Sequence, residues 1–149
     1  MAVEYEQFLK RHDPYWTQLP KCWDESAFLG NGMNGAAIYG AEHKTHRQTI
    51  RFVMGREDVT ANRPHQYAAR IPVGEFQLQF EGWIYGGTTA RIDLWNAELQ
   101  SSVVTINGTA QIRAAVHSLA DVMCLEIRTE KEKESYHFVP YPEIPQALL

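Results

Sequence analysis

The 149 residues suit one domain, and a hydrophobic content of 44% supplies enough apolar side chains for a core, which excludes a disordered chain. A formal net charge of −4 argues against binding to nucleic acid or to an anionic membrane surface. The opening MAVEYEQFLK lacks the apolar segment of a signal peptide, and no apolar run is long enough to cross a bilayer. A soluble, cytoplasmic chain is therefore expected, or a secreted one if a leader has been removed.

The first half of the chain gives mixed signals. Apolar residues at helical spacing predict a short helical turn within Val3 to Arg11. Prolines at 14 and 20 and many polar residues predict an irregular segment from Pro14 to Gly35. Alternation then predicts strands from Gly35 to Ala41 and from Thr49 to Met54. The stretch Gly55 to Pro72 has no apolar stripe and is expected to be a long loop, of a length that is often functional.

The second half alternates more regularly and predicts an antiparallel sheet. Gly86-Gly87 and Asn107-Gly108 are expected to be hairpin turns. One face of this sheet is expected to form the core stripe, from Phe76, Leu78, Phe80, Ile92, Leu94, Ile112, Val116, Leu125 and Ile127. The opposite face is expected to carry Trp95, Val103, Val122 and Cys124. Because that face is only partly polar, we expect the isolated chain to form a homodimer or a larger assembly.

These patterns predict an all-β fold, an antiparallel β-sandwich with a long irregular N-terminal segment. The sandwich domain is expected to span residues 1–135. The tail, residues 136–149, contains three prolines and is expected to be an edge strand or a linker.

Gly30 to Gly35, GNGMNG, has the letters of the dinucleotide-binding pattern G-x-G-x-x-G. That fingerprint requires a helix after the loop, whereas the following AAIYGAE alternates like a strand. The segment therefore predicts a tight loop, in which glycine supplies a positive φ and Asn31 tolerates one, and no cofactor is expected.

Metal and redox chemistry are not expected either. Cys22 and Cys124 form no CxxC pair, and two reduced thiols are favoured over one disulfide. His43 and His46 are three residues apart without an evident third ligand, so surface histidines are favoured over a metal site. Asn107-Gly108-Thr109 has the letters of a glycosylation sequon, but a hairpin turn accounts for the same residues.

Five residues are candidates for substrate contact or for a domain interface: Trp23, Asn31, Arg56, Asp58 and Trp95. Arg56 and Asp58 lie close in the expected loop, as either a buried salt bridge or a sugar contact, and the buried salt bridge is favoured. The tryptophans suit stacking on a sugar ring or burial at a core or interface. Glycoside hydrolysis needs two carboxyl groups across a sugar site, and no spacing in this sequence pairs two of them. No catalytic residue is therefore assigned.

Four segments in order resemble the N-terminal β-sandwich of glycoside hydrolases of families 95 and 65. They are WDESAFLGNGMNGAAIYG (Trp23 to Gly40), IPVGEFQLQF (Ile71 to Phe80), ARIDLWNAELQ (Ala90 to Gln100) and IRAAVHSLADVMCLEIRTE (Ile112 to Glu130). The resemblance covers about residues 16–130. Family 95 α-L-fucosidases carry Asn-Glu-x-Leu-Trp after the second strand, where this chain has RFVMGRED, so the resemblance does not extend to fucose specificity.

The resemblance implies a non-catalytic domain that packs on an (α/α)6 barrel outside this chain, where the catalytic carboxylates of such enzymes lie. It implies carbohydrate as the substrate class of the whole enzyme. Two alternatives remain open at this point: an independent carbohydrate-binding module, and a structural β-domain for protein contacts.

Overall fold

The computed structural model describes residues 4–42, 48–61, 69–130 and 134–141. Two antiparallel sheets of five strands each pack face to face, which confirms the predicted β-sandwich. Besides the helix α1 (Tyr5–Lys10) and a 3₁₀ turn (Trp23–Glu25), the chain forms the strands β1 (Tyr15–Trp16), β2 (Ala27–Gly30), β3 (Asn34–Glu42), β4 (Gln48–Ala61), β5 (Ala69–Phe80), β6 (Thr89–Asp93), β7 (Glu98–Thr105), β8 (Gly108–Val116), β9 (Met123–Thr129) and β10 (Tyr136–Tyr141). Of the helices in the described residues, none is long and apolar enough to cross a membrane.

Each sheet is built from four consecutive strands and one strand from the other half of the chain. The first sheet has the order β1-β6-β7-β8-β9, and the second has the order β10-β5-β4-β3-β2. The tail therefore enters the second sheet as an edge strand, in which Tyr136 pairs with Phe80 and Tyr141 with Glu75. Residues 142–149 lie outside the described part of the chain.

The core lies between the two sheets and is built by alternate side chains of both. The nine residues of the expected core stripe are all buried or packed against the buried cluster, which confirms their place in the core. They were expected on one sheet, but Phe76, Leu78 and Phe80 lie on β5 of the second sheet, opposite the rest. Val103 is a correction: it was expected on the opposite face, but it is fully buried. It pairs with Ala110, which also points into the core. The neighbouring Val104 is apolar too, so the sequence did not reveal which of the two faces inward.

The outer face of the first sheet is charged rather than apolar. Arg113 donates to Glu98 (Nη2 to Oε2, 2.7 Å), and Arg128 donates to Glu126 (Nε to Oε1, 2.8 Å). Ion pairs of this kind suit a solvated surface. Of the four residues expected on this face, only Cys124 lies on a strand there, in β9, because Trp95 and Val122 lie in turns. The outer face is therefore less apolar than expected.

Two segments expected to be irregular contain strands. Within Pro14 to Gly35, the buried Ala27 and Leu29 alternate with outward-facing residues and form β2. Within Gly55 to Pro72, β4 continues to Ala61 and β5 begins at Ala69, and residues 62–68 lie outside the described part. The pairing of β4 with β5 shifts register on both sides of Gly55, which breaks the alternation that sequence reasoning relies on.

One predicted hairpin is confirmed and one is not. β7 and β8 form a hairpin in which Thr105 pairs with Gly108, so its loop is Ile106-Asn107, one residue earlier than expected. Gly86-Gly87 joins β5 of the second sheet to β6 of the first, so it is a crossing between sheets. Gly87 has φ +96°, a backbone conformation that favours glycine. This requirement explains why the sequence resembles that of a hairpin turn.

Candidate functional site

The β2–β3 loop is organised by Asn31. Its Oδ1 accepts the backbone N–H groups of Met33 (2.9 Å) and Asn34 (2.8 Å), and its Nδ2 donates to the carbonyl of His117 in the β8–β9 loop (2.7 Å). Gly32 has φ +91°, which supplies the turn that was predicted for this glycine-rich segment. One side chain therefore shapes its own loop and ties it to a loop 86 residues further along the chain.

The β8–β9 loop is closed by bonds of its own. The N–H of His117 donates to the carbonyl of Val122 (2.9 Å), and the N–H of Val122 donates to the carbonyl of Ala120 (2.8 Å). His117 Nδ1 accepts the N–H of Leu119 (3.2 Å). We name residues 31–34 and 117–122 the loop platform, since these two loops meet at one end of the sandwich.

Arg56 connects the loop platform to β4. Its Nε donates to Asp58 Oδ1 (2.7 Å), and its guanidinium also pairs with Asp121. Asn34 Nδ2 donates to the other oxygen of Asp121 (2.7 Å). The N–H of Glu57 completes the connection by donating to the carbonyl of Met33 (2.8 Å).

Arg56 is the shared counter-ion of Asp58 and Asp121, and it shifts the pKa values of both carboxyl groups. Arg56 holds the pKa of Asp58 below its ordinary value, and Arg56 and the Asn34 amide do the same for Asp121. The two carboxylates in turn raise the pKa of Arg56, Asp58 contributing first. Both carboxyl groups are therefore held in the ionised, hydrogen-bond-accepting form.

The loop platform presents apolar side chains to solvent although its backbone is held in place. Leu119 is 92% exposed, and Met33 and Val122 are also exposed. An exposed leucine on a mobile tail would be unremarkable, but here the loop geometry is fixed by hydrogen bonds. Such a preorganised apolar display suits contact with another macromolecular surface.

A cleft of about 620 Å³ adjoins the loop platform on the outer face of the second sheet. Its floor includes three glycines in one row across the sheet, because Gly30 pairs with Gly35 and Gly35 with Gly55. A Cβ at Gly30 would lie 3.1 Å from the carbonyl oxygen of Asn34, so the close approach of the two strands favours glycine there. Trp23, 73% exposed, and Arg56 also line this cleft.

The structure brings three of the five sequence candidates together. Asn31, Arg56 and Asp58 belong to one hydrogen-bonded network with the loop platform. Trp23 lies across the cleft that Arg56 lines. Trp95 lies on the β6–β7 turn, which is at the same end of the first sheet as the β8–β9 loop, and it has no contact with the other four among the interactions of the described residues.

Three residues of this network were not selected from the sequence: Asn34, His117 and Asp121. All three lie within the segments that resemble the glycoside hydrolase domain, and that membership was the available signal. The hydrogen bonds of this network join residues that are far apart in the sequence, so local periodicity could not predict them.

The glycine-rich pattern does not form a dinucleotide-binding turn. Gly30 to Gly35 forms a β-hairpin rather than a strand–helix turn, so no helix N-terminus meets a phosphate there. Cys22 and Cys124 are free thiols. Among the described residues, no group of three His, Cys, Asp or Glu side chains is placed to hold a metal ion. His43 and His46 lie outside those residues.

The sequence matches no family model, and no curated protein is similar enough to indicate a relative.

Proposed function

We propose that this chain is a non-catalytic β-sandwich domain of a glycoside hydrolase of the family 95 type, and that it packs on and shapes a helical-barrel catalytic domain outside the chain. The observation that supports this best is the loop platform. Two of the segments with the family resemblance, Trp23 to Gly40 and Ile112 to Glu130, meet there through the contacts of Asn31 and Asn34. Loops positioned by a rigid scaffold are a common place for function.

The carboxylates of the loop platform suit docking better than catalysis. A glycosidase requires one carboxyl group that stays protonated as the general acid, which needs a raised pKa. Asp58 and Asp121 have lowered pKa values because they share Arg56 as their counter-ion. They are therefore assigned the structural role of holding the β8–β9 loop against β4.

Leu119 is the proposed anchor of this contact. Interfaces concentrate their binding energy in a few apolar or aromatic side chains that become fully buried in the complex. Leu119, flanked by Met33 and Val122, presents such a side chain on a loop that needs no reordering before it binds.

The test uses the whole enzyme that this proposal implies. Its reading frame is expected to continue after codon 149 into a run of amphipathic helices. In that protein Leu119→Asp is expected to lower glycosidase activity and to expose the domain junction to limited proteolysis. Ile106→Asp is the matched control, because Ile106 is 66% exposed on the β7–β8 turn at the other end of the sandwich.

Two results would contradict the proposal. One is a reading frame without a helical domain. The other is a Leu119→Asp protein with the activity and protease resistance of the Ile106→Asp control. Melting temperatures of both variants as isolated domains establish that each is folded, since neither side chain contributes to the core.

A second candidate function, an independent carbohydrate-binding module, is favoured by Trp23. An exposed indole beside a cleft of about 620 Å³ is suited to stacking on a sugar ring. A glycan array probed with the isolated chain tests it. Binding that Trp23→Ala abolishes and Trp95→Ala leaves intact would favour the module over the docking domain.

A further inference from the structure

A second cleft, of about 390 Å³, lies at the end of the sandwich opposite the loop platform. We name it the crossing cleft, since one wall is the connection between the sheets, residues 84–88, and the other is the segment 18–21. Its volume falls within the range of small-molecule sites. The proposed docking function gives this cleft no role.

Both walls of the crossing cleft are fixed by the backbone. The N–H of Gly40 on β3 donates to the carbonyl of Pro20 (2.8 Å), which holds the first wall. The N–H of Tyr85 donates to the carbonyl of Val104 (3.1 Å), which holds the second. A Cβ at Gly40 would lie 3.3 Å from Leu19 Cβ, so glycine lets the first wall approach the sheet closely. The cleft is thus formed before any ligand arrives.

The floor of the crossing cleft is apolar. Ile84 is buried in the core, and Leu19 packs against the core from the other wall. Pro20 is buried between them, while the ring of Tyr85 stays exposed at the rim. An apolar floor with one exposed aromatic ring suits the CH-rich face of a sugar ring.

The rim is polar and its side chains are available. Within the described ranges, Gln18, Lys21 and Tyr85 make no side-chain hydrogen bond or ion pair. Thr88 is buried beside them, and its Oγ1 accepts the N–H of Val104 (3.3 Å), which leaves its hydroxyl proton to donate.

Lys21 sets the charge of the ligand. Over the described part of the chain, every other lysine and arginine except Arg11 lies in an ion pair; these paired residues are Lys10, Arg51, Arg56, Arg70, Arg91, Arg113 and Arg128. Lys21 is exposed at the rim of the cleft without an ion-pair partner among the described residues, so its ammonium is available to an anionic group of a ligand.

We propose that the crossing cleft binds a carboxylated sugar ring, such as a uronic acid residue. The ring lies on the floor of Leu19 and Ile84 against Tyr85. Lys21 pairs with the carboxylate, and Gln18 and Thr88 hydrogen-bond to the ring hydroxyls. The carboxylate should give glucuronate about tenfold tighter binding than glucose, equivalent to about 1.4 kcal/mol.

The test is a titration of the isotope-labelled chain, followed by amide chemical shifts, with glucuronate, glucose and acetate in parallel. Glucuronate is expected to shift the amides of Gly40, Gly86 and Gly87 at the lowest concentration. Lys21→Met should remove the preference for glucuronate over glucose, and Tyr85→Ala should weaken both sugars.

Matched controls are Lys10→Met, an exposed lysine on α1, and Tyr15→Ala, an exposed tyrosine on β1. Both are expected to bind glucuronate as the unchanged chain does. Equal affinity for acetate and glucuronate, equal affinity for glucose and glucuronate, or the absence of shifts at the cleft would each overturn the proposal. Leu119→Asp at the opposite end should leave the titration unchanged, so failure of the docking function and failure of this site are distinguishable.

Discussion

At the scale of single residues, Gly32 bears the sharpest constraint in the loop platform. Its φ of +91° suits glycine and strains any other L-residue. We expect Gly32→Ala to lower the free energy of unfolding by about 1 kcal/mol or more. Gly55→Ala is the control, since a Cβ at Gly55 meets nothing within 4 Å. Urea denaturation of both variants measures the difference, and equal midpoints would show that the loop tolerates a side chain.

Gly82 is constrained by space rather than by φ. A Cβ there would overlap the buried carboxylate of Glu134 and lie 2.8 Å from Thr105 Oγ1. Glu134 accepts the N–H of Gly82 (2.9 Å) and the hydroxyl of Thr105. Gly82→Ala is expected to cost about 1–3 kcal/mol, because the carboxylate must move and give up these bonds.

Thermal denaturation of Gly82→Ala beside Gly86→Ala checks this expectation. A Cβ at Gly86 meets nothing within 4 Å, so that variant changes the same residue type in the same connection without a clash. Equal melting temperatures would mean that the Glu134 side chain relaxes freely.

Single residues also show what sequence reasoning could find at the site. Asn31, Arg56 and Asp58 were found because turn chemistry and short spacing mark them locally. The Arg56–Asp58 pair is an ion pair, as favoured, although both side chains are partly exposed rather than buried. Asp121 was not selected, because its partners Asn34 and Arg56 are 87 and 65 positions away.

At the scale of elements, alternation predicted β6, β8 and β9 well, since each places apolar residues on one face only. It also predicted the inward-facing side chains of β5 and the first part of β4, but it failed between Gly55 and Pro72. There β4 continues to Ala61 and β5 begins at Ala69, where a loop was expected. The register shifts on both sides of Gly55 interrupt the alternation, so the side-chain pattern does not mark these parts of the two strands.

The β8–β9 loop is expected to respond to acid before the sheets do. Asp121 and Asp58 have lowered pKa values in the folded chain, so their stabilisation is present above the ordinary carboxyl range near pH 4. It is lost as pH falls through the lowered values, because protonation removes the pairing with Arg56. Amide protection factors of residues 117–122 should therefore stay level from pH 6 to about pH 4 and decrease below it, while that of the buried Val103 in β7 remains.

Two variants test whether the carboxylates cause the pH response of the β8–β9 loop. Arg56→Met should make the loop as weakly protected at pH 6 as the unchanged chain is once both carboxyl groups are protonated. His117→Asn removes the imidazole that accepts the N–H of Leu119, so the contribution of the carboxylates is measured without that bond. Loop protection that is independent of pH, or a pH response unchanged in Arg56→Met, would refute the carboxylate explanation.

At the scale of the whole molecule, the sandwich was predictable because both sheets need one apolar face and the chain supplies two sets of alternating strands. The expected self-association has lost part of its basis. Val103 is in the core, and ion pairs line the outer face of the first sheet. The exposed apolar side chains are instead spread over the molecule: Leu119 lies on the loop platform and Trp23 at the outer-face cleft, but Tyr5 and Ile106 lie elsewhere.

The strand order has a consequence for how the chain could be divided. β1 lies in the first half but pairs with β6, and β10 lies in the second half but pairs with β5. A cut between Gly86 and Gly87 would leave two fragments, each holding a strand that completes the other's sheet. Co-expressed fragments 1–86 and 87–149 are expected to co-purify and to regain the β-sheet circular dichroism of the intact chain.

Ending the second fragment at residue 135 should weaken that recovery, because the six residues of β10 then no longer complete the other sheet. The two halves of the intact domain would thus be related like the subunits of a heterodimer, joined by one peptide connection. If the two parts of a split reporter protein are attached at Gly86 and Gly87, one to each fragment, the reporter signal would measure the association of the fragments.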